Sequence, residues 1–309
     1  MAVIVIVLLA SLLGVVWTTA SAYLVFTYGV VLFIGAPVAQ GILCAALCTA
    51  RGIGAKSDVL WLTTWSILTT GLLLLIGRIE GAICLVMALP LAIPLALFGA
   101  WITHRILIDR RSARALGALV LVPFLFAGSP DVGLHAVESH VEVAAPPDVV
   151  WRNVIEFPEL PAPSEMIFKA GLAYPERARI VGRGVGAVRY CDFSTGPFVE
   201  PIRVWDESRL LRFAVTSNPE PLRELTFYKS VHPPHLNGYF VSRQGQFLLR
   251  PLPNGHTLLS GTTWYELRMG PGVYWRLWSD YIVHQIHLRV LEHIRTLAEK
   301  QVAFNPPKR

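Results

Sequence analysis

Two pairs of histidines carry the clearest chemical potential in this sequence: His232-Pro233-Pro234-His235 and His284-Gln285-Ile286-His287. Side chains three apart share one face of a helix, so His284 and His287 can address a single centre, with the first pair supplying further ligands or acid–base groups. Convergence of all four would make an enzyme of the cyclase, dehydratase or hydrolase kind. The alternative is that His284 and His287 are polar core or edge residues bonded to backbone, and that Pro233-Pro234 stiffens a loop. No cysteine joins the set, and no metal or cofactor is assigned from it.

Glu200 is the candidate carboxylate. Facing an apolar hollow, it would have a raised pKa and serve as general acid or base. Its neighbour Pro201 is unsuited to a central strand and points instead to an exposed edge. Arg189 lies in Val188-Arg189-Tyr190, so alternation turns it away from both neighbours. Pointing inward it would pair with Glu200 or an anionic head group; pointing outward it is solvated surface. Among the aromatics, Phe193, Phe198, Tyr228, Tyr239, Trp264, Trp278 and Tyr281 are candidates for lining a pocket, with core packing as the bland reading. Trp275, Trp278 and Tyr281 would also suit a headgroup zone.

The elements that must position these residues begin at Leu134. Val137, Val141 and Val143 alternate with Glu138, His140 and Glu142, the period of a half-buried strand. Ala145-Pro146-Pro147-Asp148 then opens a helix with an apolar face from Val149 to Phe157, and a short proline-punctuated piece ends near Ala170. Strand-like runs follow at about Ala178 to Val181, Ala187 to Phe193, Phe198 to Trp205 and Leu210 to Ser217. An irregular insert spans Pro219 to Asn237. Two longer runs, Tyr239 to Pro251 and His256 to Leu267, join through Pro253-Asn254-Gly255, a hairpin signal. A helix without internal proline or glycine runs from about Val273 to Lys300.

The first part of the chain obeys a different solvent. Mean hydropathy is +0.50 over 309 residues, and only ten of the charged side chains precede Ser129. From Met1 to Ala50 there is none, enough for two crossings broken near Thr27 to Gly29. Further spans are expected at about Val59 to Gly77, Gly81 to Thr103 and Ala115 to Ala127, five in all. A cleaved signal peptide is not expected, because Met1 lacks a charged n-region and the apolar run is too long. Arg51 and Lys56 share one side with Arg105, Arg110, Arg111 and Arg114, which makes that side cytoplasmic and the later domain extracytoplasmic. Arg78 and Glu80 sit between spans, as a loop or as an intramembrane ion pair with a transport role.

The net charge of +6 divides as seven Lys/Arg against three Asp/Glu before residue 129 and twenty against eighteen after. The second part is almost balanced and carries no basic stripe with interleaved aromatics, so nucleic acid is excluded as a partner. Cys44, Cys48 and Cys84 fall in apolar spans and Cys191 stands alone, leaving no disulfide within the second part.

The order strand, helix, helix, six strands, long helix gives an α-helical membrane bundle followed by an α+β helix-grip domain, with a curved antiparallel sheet around the C-terminal helix. Here the chain resembles the START and polyketide-cyclase-like helix-grip superfamily, SRPBCC. The resemblance covers roughly residues 135 to 300. It rests on the opening strand, Ala145-Pro146-Pro147-Asp148-Val149-Val150-Trp151, Phe157-Pro158-Glu159-Leu160, the glycine-punctuated Gly182 to Gly186 and the terminal helix. It implies a hollow for lipids, sterols, hormones or polyketides, with cyclisation or dehydration in some members; no catalytic motif carries over. The expected division is 1–128 transmembrane, 134–301 helix-grip and 302–309 tail. The expected function is membrane-tethered binding of a hydrophobic small molecule, lipid or isoprenoid-like, between sheet and helix. A purely sensing or scaffolding domain is the third reading.

Overall fold

The structure, a computed structural model, describes residues 1–108, 133–228 and 231–304. The chain divides into two compact units: Met1–Asp131 with Glu224–Leu236 and Arg268–Val273, and Val132–Arg223 with Asn237–Leu267 and Tyr274–Arg309.

The first unit is built on α1 (Ala2–Thr19), α2 (Ala36–Ala50), α3 (Lys56–Ile76) and α4 (Ala82–Ile108). One π-helical turn, Ala20–Leu24, extends α1, and another, Val31–Gly35, leads into α2. With these turns, four helices among the described residues are long and apolar enough to cross a membrane. Leu12 and Val16 of α1, Trp61 and Trp65 of α3, and Val86 and Phe98 of α4 turn outward from the packing and give the unit an exposed apolar surface. Inside, Gln40 of α2 donates to the Thr70 hydroxyl of α3 at 2.8 Å and Ser11 of α1 to the Ser66 carbonyl at 3.0 Å, so polar groups away from water find partners on neighbouring helices. The fifth expected span, 115–127, lies outside the described residues.

The two ends of this unit differ. His104 Nε2 is 2.9 Å from the Gly54 carbonyl, which puts the end of α4 beside the α2–α3 loop, with Arg51, Lys56 and Arg105. At the other end the Tyr23 hydroxyl donates to the Ile79 carbonyl at 3.1 Å. Arg78 and Glu80 belong to this second end and do not pair with each other. Arg78 lies 3.8 Å over the Tyr228 ring, and Glu80 accepts from the Tyr28 hydroxyl at 2.6 Å. The loop reading of these two residues therefore holds, and the intramembrane ion pair does not form.

The second unit contains β1 (Leu134–Val143), α5 (Pro147–Ile155), α6 (Met166–Lys169), β2 (Pro175–Val181), β3 (Val188–Phe193), β4 (Gly196–Asp206), β5 (Leu210–Ala214), β6 (Phe240–Pro251), β7 (Thr257–Leu267) and α7 (Gly272–Phe304). The strands make one curved antiparallel sheet in the order β1-β7-β6-β5-β4-β3-β2, the expected strand, two helices, six strands and long helix. Hairpins account for every neighbour except β1 on β7. Asp148 and Pro147 open α5 because an acid favours a helix N-terminus and proline has no N–H to lose there. Val141, Val143, Trp151, Val154, Ile202, Leu211, Leu249 and Leu259 pack with Leu291, Ile294 and Ala298 of α7. This sheet face and one stripe of α7 bury each other, as a single amphipathic helix on a one-sided sheet must.

Pro201 sits in an interior strand, against the edge placement expected from its type. Its missing N–H is harmless because pairing of β4 toward β5 is interrupted there. The Ile202 amide bonds to Ala187 on the β3 side, while the register toward β5 shifts between Ile202 and Val204. A bulge is where a strand tolerates proline.

Candidate functional site

The β3–β4 register places Arg189 directly opposite Glu200, and alternation points both toward the helix side of the sheet with Cys191, Phe198 and Ile202. Arg189 is 1% exposed and Glu200 6%, so of the two placements weighed for each, the inward one holds. Arg189 Nη1 donates to the Glu200 carboxylate, and Nε to the Ile155 carbonyl at 3.2 Å. The guanidinium also lies 5.5 to 5.7 Å from the rings of Phe157, Phe213 and Phe247, within cation–π range. Nη2 is buried with no hydrogen-bond partner. Burial pushes the Glu200 carboxyl upward against the pull of Arg189.

A second polar group stands on the facing helix. His287 has its Nε2 2.7 Å from the Thr263 hydroxyl and its Nδ1 3.1 Å from the Ser139 hydroxyl, and His284 Nδ1 is 2.7 Å from the same serine. Burial, with the charge of His284 adding, brings the His287 pKa down to about 4. Bracketed at both nitrogens and neutral, His287 is a hydrogen-bonding fixture and not a free base.

Between these groups lies a cavity of about 120 Å³ bounded by β3 to β7 and α7. Arg189, Glu200 and His287 share its wall with Phe193, Phe198, Phe213 and Phe247 and, from α7, Val283 and Ile286. Gly245 of β6 makes room for this wall: a Cβ there would stand 2.5 Å from the Phe213 ring. The cavity flanks the middle of α7, from Val283 to Leu291, while Ile294 and Ala298 further along belong to the packed core.

The sequence candidates separate accordingly. Arg189, Phe193, Phe198, Glu200 and His287 line the cavity; His284 does not, but it shares the Ser139 hydroxyl with His287. Trp264, Trp278, Tyr239 and Tyr281 do not line it. Trp264 falls on the opposite face of β7 from Thr263 and Tyr265, and Tyr265 turns inward to bond Asp280. Tyr281 is 49% exposed on the outer side of α7. Tyr228, with His232 and His235, belongs to the helical unit, whereas His284 and His287 belong to the other. The two histidine pairs therefore have separate surroundings: His232 is exposed, and His235 is buried among Glu80, Cys84 and Glu224. Ser139 and Thr263 were not singled out from the sequence. Ser139 was nonetheless legible as the one polar member of the inward stripe Val137, Ser139, Val141, Val143.

A curved antiparallel sheet closed by a C-terminal helix, with a buried polar pair in the hollow between them, is a helix-grip fold. No protein-family model matches the chain, and no curated protein matches it. Among solved structures, a Nitrosospira multiformis protein is similar with TM-score 0.36 and 16% identity over 55% of this chain and 99% of its own. A point mutant of Thalictrum flavum norcoclaurine synthase, in complex with a transition-state analogue, gives 0.36 and 14% over 55% and 96%. A Streptomyces aromatase/cyclase gives 0.33 and 16% over 55% and 96%. The helix-grip description rests on the sheet order, register and helix of the second unit itself.

Proposed function

We propose that this chain is a membrane-anchored binding protein whose helix-grip unit holds a small, mostly apolar molecule and meets that molecule's one polar group with Arg189. The carrying observation is the buried guanidinium nitrogen Nη2 without a partner in the wall of a mostly apolar cavity. An unsatisfied buried donor costs roughly 1–3 kcal/mol, a cost that a ligand carbonyl or carboxylate would relieve. The volume favours the small-molecule end of the expectation over a lipid. A cavity of about 150 Å³ admits benzene, so 120 Å³ suits a single ring or a short branched chain.

The anchor reading draws on the four apolar helices. Arg51, Lys56 and Arg105 at one end favour a cytoplasmic placement for it, and an extracytoplasmic one for the Glu80 end. Binding without chemistry is preferred over catalysis because His287 is held at both nitrogens and Glu200 is engaged by Arg189.

The test is native mass spectrometry of the full chain released from detergent, followed by titration with single-ring aromatic carboxylates and ketones. Binding that disappears in Gly261→Leu, which would place a side chain into the cavity, and weakens at least tenfold in Arg189→Met supports the proposal. A chain that binds none of them, or binds equally in both variants, refutes it.

A further inference from the structure

The helical unit contains a second group of chemically capable side chains. Cys84, in the first turn of α4, has its Sγ 2.8 Å from His235 Nε2. Glu224 Oε1 is 3.9 Å from the same nitrogen. One donor atom from each of the three residues lies within 4.8 Å of the other two. On the far side of the imidazole, His235 Nδ1 is 3.5 Å from Glu80 Oε2, and the Tyr28 ring packs on the imidazole at 4.8 Å. His235 is 6% exposed, and the Glu224 side chain is closed off. Yet His235 Nδ1 and Glu224 Oε1 are buried with no hydrogen-bond partner.

We propose that Cys84 Sγ, a Glu224 carboxylate oxygen and His235 Nε2 are ligands of a divalent transition-metal ion, Zn²⁺ in first place, with Glu80 orienting the imidazole through Nδ1. Three protein donors leave one position of a tetrahedral centre open. With metal–ligand bonds of about 2.0–2.3 Å, a tetrahedral edge between sulfur and nitrogen is about 3.5 Å. The sulfur–nitrogen separation is 2.8 Å, and the oxygen–nitrogen separation is 3.9 Å against an edge of about 3.3 Å, so shifts of well under 1 Å bring the three donors to a common centre. Thiolate with imidazole and carboxylate is a borderline-soft set that suits zinc and excludes magnesium or calcium, which demand oxygen ligands.

The surroundings are built for these residues. Glu224 Oε2 accepts from the Ile83 amide at 3.1 Å, fixing one carboxylate oxygen and leaving the other to the site. Gly81 permits that approach, since a Cβ there would lie 2.1 Å from the carboxylate. A carboxylate behind a ligating histidine fixes the tautomer that presents the other nitrogen to metal, and Glu80 stands in that place, itself held by the Tyr28 hydroxyl. Among the described residues neither carboxylate pairs with Lys or Arg, and the local cation Arg78 lies over Tyr228 instead. Two carboxyl groups and a thiol gathered out of water are donors that a divalent ion, displacing their protons, would hold in charged form.

The test uses the full chain in detergent, reduced, stripped with chelator, and titrated with Zn²⁺ and with Co²⁺ as a spectroscopic probe. One equivalent of either metal should bind, and the cobalt form should show tetrahedral bands with thiolate-to-cobalt charge transfer. Cys84→Ser should lose the charge transfer, and His235→Ala and Glu224→Gln should weaken binding at least 100-fold. Glu80→Gln, as a positioning variant, should cost about 10–100-fold, and Cys48→Ser should change nothing. Absence of stoichiometric binding, charge transfer that survives in Cys84→Ser, or unchanged affinity in both His235→Ala and Glu224→Gln overturns the proposal. Should Cys84→Ser not fold, X-ray absorption of the zinc-loaded natural chain decides. One sulfur among nitrogen and oxygen neighbours supports the site, and a shell with no sulfur or with two overturns it.

Discussion

Replacing Glu200 by leucine should destabilise the helix-grip unit far more than replacing both members of its ion pair. Glu200→Leu leaves Arg189, 1% exposed, charged and dry, with its Nε bond to Ile155 and the Cys191 side chain as its remaining polar neighbours. Breaking one side of a buried pair costs about 3–5 kcal/mol. For a unit of this size about 2–4 °C of Tm accompanies each kcal/mol, so the melting point should fall by roughly 10 °C. Arg189→Met should be milder, about 1–3 kcal/mol, because burial already pushes the Glu200 carboxyl toward its neutral form. The double variant Arg189→Met/Glu200→Leu removes both charges, and such exchanges are neutral or stabilising by about 1–4 kcal/mol. Its Tm should return to that of the natural chain or exceed it, while ligand binding stays lost. Thermal melts of the detergent-solubilised full chain, read by hydrogen exchange in β3 and β4 peptides, provide the measurement. A double variant as unstable as Glu200→Leu alone would refute the reasoning, since the damage would then come from lost shape and not from an unpaired charge.

Three further expectations concern the same unit. His287, neutral when folded with a pKa of about 4 and near 6.5 when unfolded, binds fewer protons in the folded state. Its contribution, up to about 3 kcal/mol, is therefore complete above pH 6.5 and lost as pH falls toward 4. His287→Gln should flatten stability against pH across that window, as followed by chemical denaturation; an unchanged slope would assign the acid sensitivity elsewhere. Gly245→Ala should cost about 1–3 kcal/mol by overpacking, because its Cβ would meet the Phe213 ring at 2.5 Å, and a melt within 1 °C of the natural chain, about the precision of the measurement, would contradict that contact. Thr263→Val removes the hydroxyl from His287 Nε2 and should destabilise by about 1–3 kcal/mol, with His287 moving out of register in an imidazole NMR titration. An unshifted titration would show that Thr263 does not hold the ring.

Much of the fold was legible because its signals are local. The alternation from Leu134, the Pro147-Asp148 helix start, the Asn254-Gly255 turn and the uninterrupted final helix all appear as elements within a few residues of where the sequence puts them. The break between the first two apolar helices falls near Thr27 as expected, and four of the five expected spans are described as long apolar helices. The inward pairing of Arg189 with Glu200 was one of two open readings. Alternation fixes that two residues share a face but not which face, and Pro201 pulled toward the wrong answer because a bulge is invisible in composition. The aromatic candidates divided for the same reason: Trp264 and Thr263 are adjacent, and strand parity alone decides which of them reaches the hollow.

His235 was a candidate, but its grouping with Cys84 and Glu224 escaped because no local rule joins residues 140 or more positions apart, yet one local sign was present. The helix α4 begins after Glu80-Gly81 with no serine, threonine, asparagine or aspartate to cap it, and an apolar helix cannot leave its first amides bare away from water. The missing acceptors come from the long connection between β5 and β6. The Leu225 carbonyl takes the Ala82 amide at 3.0 Å, and the Glu224 carboxylate takes Ile83 at 3.1 Å. A connection of that length between hairpin strands is uncommon without a function of its own, and here residues 224–236 belong to the helical unit. Capping explains one oxygen of Glu224 and one carbonyl. It does not account for the buried, unpartnered Glu224 Oε1 and His235 Nδ1, and it is this remainder that argues for an ion.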